Sequence, residues 1–506
     1  MKKKKTFLIN TVILTFTALF LRGIGLVFRV YLSNIIGAEG MGLYQLIFSV
    51  YMLAATFATS GISTAVTRLC TDEMVCGNKQ TVLKVLKRAV QLSIVAGTIL
   101  NAGVYIFSNP IANLFIDDMR AAPSLRILSF SLVPMGVSAC FKGYFMARRK
   151  TFTPSLASIL EQLIRITVIV ILLSKFAEKG LEASCFAVLA ADTIAETASC
   201  IFIFFCLIKD KKKLTTAERS GKIKGSYLKA ILKISTPITA GRYLTSILHT
   251  SESLIVPKCL SSYSGNKASG LEVFGALKGM ALPIIFFPSS FLLSISTLLI
   301  PEISESAALD DKGTIRRDVE KVIGITIIGS VLAGGCFFLC SNSVGMALYK
   351  SKEVGVLINV LSPFIPLMYL ESVVDGILKG LNKQNATLLY NTIDSILRIT
   401  LILLFVPKLG MDGFLIIMVF SNILTCTLNF IKLLKVTVLK FDFKNWFLKP
   451  TCSIIIAICF ARQLCKNISN HIAYIIISIS IISTIYFILI LITKAVDIKS
   501  YKNIRK

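Results

Sequence analysis

The sequence predicts an all-α polytopic membrane protein of about fourteen transmembrane helices, arranged as two parallel six-helix repeats followed by two extra C-terminal helices. Three observations lead there: long apolar runs along the whole chain, a duplication that holds one register, and a one-sided distribution of lysine and arginine.

Hydrophobic residues make up 55% of the 506 residues and charged residues 16%, well below the roughly 25% charged of an ordinary soluble domain. A hydrocarbon layer about 30 Å thick takes roughly 20 mostly apolar residues per helix. Such stretches lie near 7–31, 42–63, 86–108, 122–146, 154–175, 182–208, 233–256, 270–299, 319–341, 356–378, 386–406, 413–431, 447–464 and 472–493. Lipid offers no partner to a bare backbone amide, so these runs are expected to be helical. They are too long and too uniformly apolar for the alternating segments of a membrane β-barrel. The first follows Lys2–Lys5 as the apolar core of a secretory signal would. It runs on past that length, however, carries Arg22 and Arg29 and lacks a small-residue cleavage site, so it is expected to be a retained helix.

The duplication is read directly. Gly37, Glu39 and Gly42 recur 233 positions later as Gly270, Glu272 and Gly275. Ile62-Ser63-Thr64 recurs as Ile295-Ser296-Thr297, Ser108-Asn109 as Ser341-Asn342, and Leu128-Ser129 as Leu361-Ser362. Gly143 returns as Gly376, Arg165-Ile166-Thr167 as Arg398-Ile399-Thr400, and Lys175 and Gly180 as Lys408 and Gly413. One ungapped register through all of these marks a membrane protein built by internal repetition. An even number of spans per copy gives both copies the same orientation. The expected organisation is an N-lobe at 1–208, a basic linker at 209–232, a C-lobe at 233–436, and two added spans with a basic tail at 437–506.

Basic residues crowd into alternate loops: Lys2 to Lys5, Arg148-Arg149-Lys150, Lys211 to Lys213 and the tail ending Arg505-Lys506. That asymmetry places both termini in the cytoplasm. It accounts for most of the net charge of +28, so no nucleic-acid partner is implied and anionic inner-leaflet lipid is the expected neighbour. The 13 cysteines are scattered without a C-x-x-C pair and read as small buried hydrophobes. Two histidines, His249 and His471, are too few for a histidine-based metal site. No nucleophile motif or phosphate-binding glycine loop appears, so neither an enzyme nor a cofactor is expected.

Charges within the apolar runs carry the functional expectation. An ionisable group near the bilayer centre costs about 2.5–3.5 kcal/mol on insertion scales and needs a partner or water. Glu161 with Arg165, and Asp394 with Arg398, are spaced by four at equivalent positions of the two copies, which puts each pair on one helix face. They fit either structural ion pairs or ion-coupling carboxylates. Asp192 and Glu196 form a like-charged pair, and Glu371, Asp375 and Lys379 step along one face. These acids are candidates for coupling to sodium or protons, or for bonding to a neighbouring helix. Arg22 and Arg29 lie seven apart with no acid within four residues, and suit the oxygens of a diphosphate. Arg29 also fits snorkelling to an interface. Arg242 and Glu252 are too far apart on one helix to pair with each other: Arg242 is a candidate head-group ligand, Glu252 a partner for an arginine across a cavity or a group that titrates during the cycle, and Lys278, just before a GMALP segment, a further substrate-binding candidate. Pro237, Pro283, Pro288 and Pro366 would permit bends.

Residues 23–69, GIGLVFRVYLSNIIGAEGMGLYQLIFSVYMLAATFATSGISTAVTRL, resemble polysaccharide-export flippases of the sporulation (stage V protein B) type. The likeness returns in GRYLTSILHTSESLIVP (241–257) and GALKGMALPIIFFPSSFLLSISTLLIPEISE (275–305). This branch belongs to the multidrug/oligosaccharidyl-lipid/polysaccharide exporter (MOP) superfamily, which also holds the MATE exporters and the lipid II flippases. The resemblance implies a two-lobed bundle that moves an undecaprenyl-pyrophosphate-linked sugar through a central cationic cavity by alternating access. The implied substrate is a lipid-linked oligosaccharide such as a peptidoglycan precursor for spore cortex, and the implied location is the plasma membrane or the membranes of a developing bacterial spore. It also implies a cavity-lining arginine on the first span, which Arg22 with Gly25 matches in spacing while Arg29 is displaced by one position. The alternatives are a cation-coupled multidrug exporter of the same superfamily and a non-transporting scaffold for cell-wall synthesis.

Overall fold

The computed structural model describes residues 2–59, 61–76, 79–212, 227–294, 303, 306, 309, 311–437, 439 and 442–493. Most of the basic linker, the repeated Ile295-Ser296-Thr297 and the basic tail lie outside them. Among the described residues every regular element is helical and there is no strand, as backbone polar groups in lipid require. The helices used below are α1 (Lys2–Thr59), α2 (Ile62–Val75), α3 (Lys79–Ile106), α4 (Ala121–Ser129), α5 (Leu132–Ala147), α6 (Phe152–Phe176), α7 (Leu181–Lys212) and α8 (Tyr227–Ser264). They continue with α9 (Lys267–Phe274), α10 (Leu282–Phe286), α11 (Lys312–Tyr349), α12 (Lys352–Leu361), α13 (Ile365–Gly380), α14 (Gln384–Thr437), α15 (Lys449–Leu464) and α16 (His471–Ile492).

Among the described residues, ten helical runs are long and apolar enough to cross a membrane, or eleven if the bent pair α4–α5 is one crossing. That is fewer than the fourteen stretches expected, for identifiable reasons. Two of the runs are 63 and 54 residues long, well beyond the roughly 20 that one crossing needs. Each is broken at a glycine, Gly37 at φ 70° or Gly410 at φ 60°, a backbone region that glycine enters without steric cost. The seventh expected span falls in α8, where Lys229, Lys233, Arg242, Glu252 and Lys258 dilute the apolar character.

The helix α7 shows how small and large residues divide between packed and exposed faces. On α7 the buried residues include the small Cys185, Ala187, Ala191, Ala195 and Ser199 beside Val188, Leu189 and Ile203, while Ile194, Ile201, Phe204 and Phe205 are exposed. Small residues let membrane helices approach closely, and large apolar ones suit the surrounding lipid.

Contacts divide the chain into two units that do not follow chain order throughout: 1–28, 35–262 and 266–271 form the first, and 29–34, 263–265 and 272–506 the second. Most of α8 counts with the first unit because its polar groups are satisfied there. Tyr243 donates its hydroxyl to the Phe57 carbonyl at 3.3 Å and stacks on the Phe57 ring, and Thr250 donates to the Ser49 carbonyl at 3.2 Å. The first unit's core joins α2, α3 and α5 through Val66, Leu86, Phe141 and Phe145. The second unit's core joins α11, α13, α15 and α16 through Ile323, Val374, Ala457 and Ile482. The two C-terminal helices are thus part of that core, and Tyr486 on α16 donates to the Ile328 carbonyl at 3.1 Å.

Candidate functional site

Each unit holds a cluster of ionisable side chains at positions that correspond under the 233-residue repeat, supplied by three helical segments in the first unit and by two in the second. In the first unit Arg165 on α6 is the hub. Its Nη2 lies 3.0 Å from Glu161 Oε1 and its Nη1 donates to Gln162 Oε1 at 2.7 Å. Its Nε sits 2.6 Å from Asp192 Oδ1 on α7, an ion-pair contact whose N–H is not aligned for a hydrogen bond. Lys142 on α5 reaches Glu161 Oε2 at 3.5 Å. Glu196, one turn beyond Asp192, lies among Glu161, Lys142, Arg165 and Asp192 and is buried. Tyr51 borders the group, held by a hydrogen bond from Ser131 at 2.8 Å.

In the second unit Arg398 Nη2 is 3.6 Å from Asp394 Oδ2, and Ser421 donates to Asp394 Oδ1 at 2.6 Å. Lys379 pairs with Asp375 one turn away on α13, and Glu371 lies among Asp375, Asp394, Lys379 and Arg398. Asp394 corresponds to Glu161 and Arg398 to Arg165, whereas Asp375 stands where Lys142 does, Thr425 where Asp192 does, and Asn429 where Glu196 does. Both clusters therefore set three carboxylates against two cations, with the charges redistributed among the helices. Asn429 is fully buried with neither side-chain polar atom hydrogen-bonded, and Asp375 Oδ1 and Asp192 Oδ2 are also unbonded. Among the described residues no three His, Cys, Asp or Glu side chains converge as metal ligands.

The remaining candidates are placed differently. Arg22 on α1 and Arg242 on α8 both belong to the first unit, both are exposed, and neither has an ion-pair partner among the described residues. Glu252 is buried and partnered. Arg29 is half-buried in the second unit, close enough to Tyr349 to interact electrostatically. Lys278 is half-buried and partnered, on a π-helical turn spanning Gly275–Ala281; such turns in α-helical surroundings often mark functional positions. Lys142 and Tyr51 were not singled out by sequence. Each joins its cluster from a separate helix, and spacing along one helix carries no signal of such a contact.

The first 307 residues decide the family: positions 7–307 match the model described as polysaccharide biosynthesis protein. The chain belongs to that family. It is 24% identical over 450 residues to stage V sporulation protein B of Bacillus subtilis (strain 168), covering 88% of this chain and 86% of that protein. It is 21% identical over 427 residues to the lipid II flippase MurJ of the same organism, covering 80% and 78%. Among solved structures it matches lipid II flippase MurJ in an inward closed conformation with a TM-score of 0.74 at 17% identity, over 96% of this chain and 99% of that one. An inward-facing multidrug resistance MATE family transporter of the MOP superfamily matches with a TM-score of 0.67 at 16% identity, over 83% and 94%. This member of the family therefore has the helical fold shared by flippases and MATE exporters.

Proposed function

We propose that this chain is a flippase that moves an undecaprenyl-pyrophosphate-linked sugar, a lipid II-like peptidoglycan precursor, across the plasma membrane. The observation that carries this reading is a contrast among intramembrane arginines. Arg165 and Arg398 are neutralised by carboxylates, whereas Arg22 and Arg242 are exposed without an ion-pair partner among the described residues. A bare guanidinium at membrane depth is costly unless it faces water or an anion, and a diphosphate offers the oxygens it binds bidentately. Lys278, Arg29 and Glu252 are the further substrate-facing candidates.

In this proposal the sugar and pyrophosphate enter a cationic site from the inner leaflet while the prenyl chain stays in lipid, and the two repeats alternate its access. An anion leaving an interior-negative cell gains about 2.3 kcal/mol per charge per 100 mV, so the membrane potential favours export. Both termini lie in the cytoplasm, and the sporulation protein among the relatives supports a role in spore cortex assembly. The test is leaflet exchange of defined lipid-linked sugars in reconstituted vesicles. Arg22→Ala at equal protein level is expected to lose at least about tenfold in rate, the loss of one charge-assisted contact worth about 1.5 kcal/mol. Full activity of that variant would count decisively against the proposal.

A second reading, a cation-coupled multidrug exporter, is favoured by the two acidic clusters and by the MATE fold match. In it Asp192, Glu196, Glu371 and Asp375 bind sodium or a proton. Sodium-dependent efflux of a cationic dye that survives Arg22→Ala and Arg242→Ala would select it.

A further inference from the structure

In the first unit, the faces of α3 and of the first half of α8 leave two adjoining hollows that share Leu92. One, of about 600 Å³, is lined by Arg88, Gln91, Leu92, Val95, Tyr227 and Leu228. The other, of about 380 Å³, continues along the same helices past Ala96, Leu232, Thr236 and Thr239 to Tyr243, with Phe57 as a wall. Val95, Leu228 and Leu232 are exposed apolar side chains on its rim. The result is a long apolar trough.

One end of the trough is basic. Lys84, Arg88, Gln91 and Val95 recur at steps of four, three and four and so share a face of α3. Lys84, Lys87 and Arg88 on α3 and Lys229 and Lys233 on α8 are all exposed. Arg88 Nη1 donates to Gln91 Oε1 at 3.0 Å, which fixes the guanidinium at the mouth. No carboxylate among the described residues pairs with it. The charge pattern assigns this end of both helices to the cytoplasmic side, where the anionic leaflet lies.

We propose that the trough is a binding site for an anionic glycerophospholipid of the inner leaflet, with one acyl chain along α3 and α8 and its phosphate on Arg88. An acyl chain alone has no reason to prefer the trough, since surrounding lipid is equally apolar. Selectivity therefore comes from the head group, where guanidinium and phosphate form paired charge-assisted hydrogen bonds. This site is independent of the transported substrate and does not rest on the flippase reading.

The test uses fluorescence quenching. Trp446 is the single tryptophan, so Val95→Trp in a Trp446→Phe background places the sole indole in the trough. The protein is reconstituted with brominated phosphatidylglycerol or brominated phosphatidylcholine. The expected result is about fivefold tighter association of the phosphatidylglycerol at this indole, in line with the effect of one basic residue near an anionic surface. Arg88→Gln is expected to bring the ratio to one. Phe487→Trp on the exposed face of α16, in the same Trp446→Phe background, is a folding and specificity control and is expected to show no preference with or without Arg88. Equal quenching by both lipids with Arg88 present, or a preference that survives Arg88→Gln, would overturn the proposal. Displacement of the brominated phosphatidylglycerol by undecaprenyl phosphate at low mole fraction would also overturn it, because the trough would then belong to the prenyl chain.

Discussion

Arg165 and Arg22 show how differently one residue type is placed in this chain. Arg165 is enclosed by Glu161, Gln162 and Asp192, and its charge is answered on both sides. Removing it strands two carboxylates in a low-dielectric setting, so Arg165→Ala is expected to destabilise the protein by roughly 3 kcal/mol, at the lower end for a broken buried pair. Thermal unfolding in detergent measures this, and Arg165→Lys should recover only part of the loss because a lysine cannot face two acids as a fork does. Arg22→Ala strands nothing and should unfold like the parent protein, so the transport defect expected of it under the proposed function is separable from folding. The sequence made the in-helix pairs legible, because a spacing of four is a property of one helix. The contact from Arg165 to Asp192, the approach of Lys142 and the position of Tyr51 depend on how helices pack, which spacing along the chain does not encode.

At the scale of helices, the repeated motifs acquire physical reasons. Ser108-Asn109 and Ser341-Asn342 are sites where a neighbouring helix clasps the one before it. Arg126 on α4 donates to Ser108 Oγ at 2.9 Å and to Asn109 Oδ1 at 2.8 Å. At the corresponding place in the second copy, Asn359 on α12 donates to Ser341 Oγ at 3.1 Å and to the Phe338 carbonyl at 3.1 Å. The donor changed between copies while the clasp stayed. Gly143 is retained because α2 passes close by: a Cβ there would sit 2.7 Å from the Ser63 carbonyl oxygen, and the Gly143 carbonyl accepts from Thr67 at 3.1 Å. Gly143→Ala is expected to force α2 and α5 apart and lower stability by about 1–3 kcal/mol, the range for overpacking, readable as a reduced midpoint in a thermal melt. A second-site Thr67→Ser should not relieve it, since the clash is with backbone. The π-helical turn under Lys278 and the path of α8 along α1 could not be read in advance. The first has no sequence signature, and the second reflects hydrogen bonds to carbonyls that any residue supplies.

At the scale of the whole chain, the duplication, the membrane class and the family were legible because they rest on features that survive divergence: apolar length, register and glycine positions. The unit boundary was not, since the serine, threonine and tyrosine donors of α8 find their acceptors on α1 and so draw most of a second-repeat helix into the first unit. The contribution of the last two helices was equally hidden, because their uniformly apolar sequence does not mark which stripe meets α11. The parallel orientation that the sequence leads one to expect of the repeats makes a prediction at this scale. If each copy crosses the membrane an even number of times, the linker and the C-terminal tail share one side, and the connection from α8 to α9 lies on the other. In a chain whose native cysteines are replaced, Ser220→Cys and Ser500→Cys should react with a membrane-impermeant maleimide only when the cytoplasmic face is accessible. Asn266→Cys, in the exposed turn beside the Lys267–Asp117 ion pair at 2.8 Å, should react from outside intact cells. Labelling of Ser220→Cys and Ser500→Cys from opposite faces would break the even count for the second copy together with the two added helices.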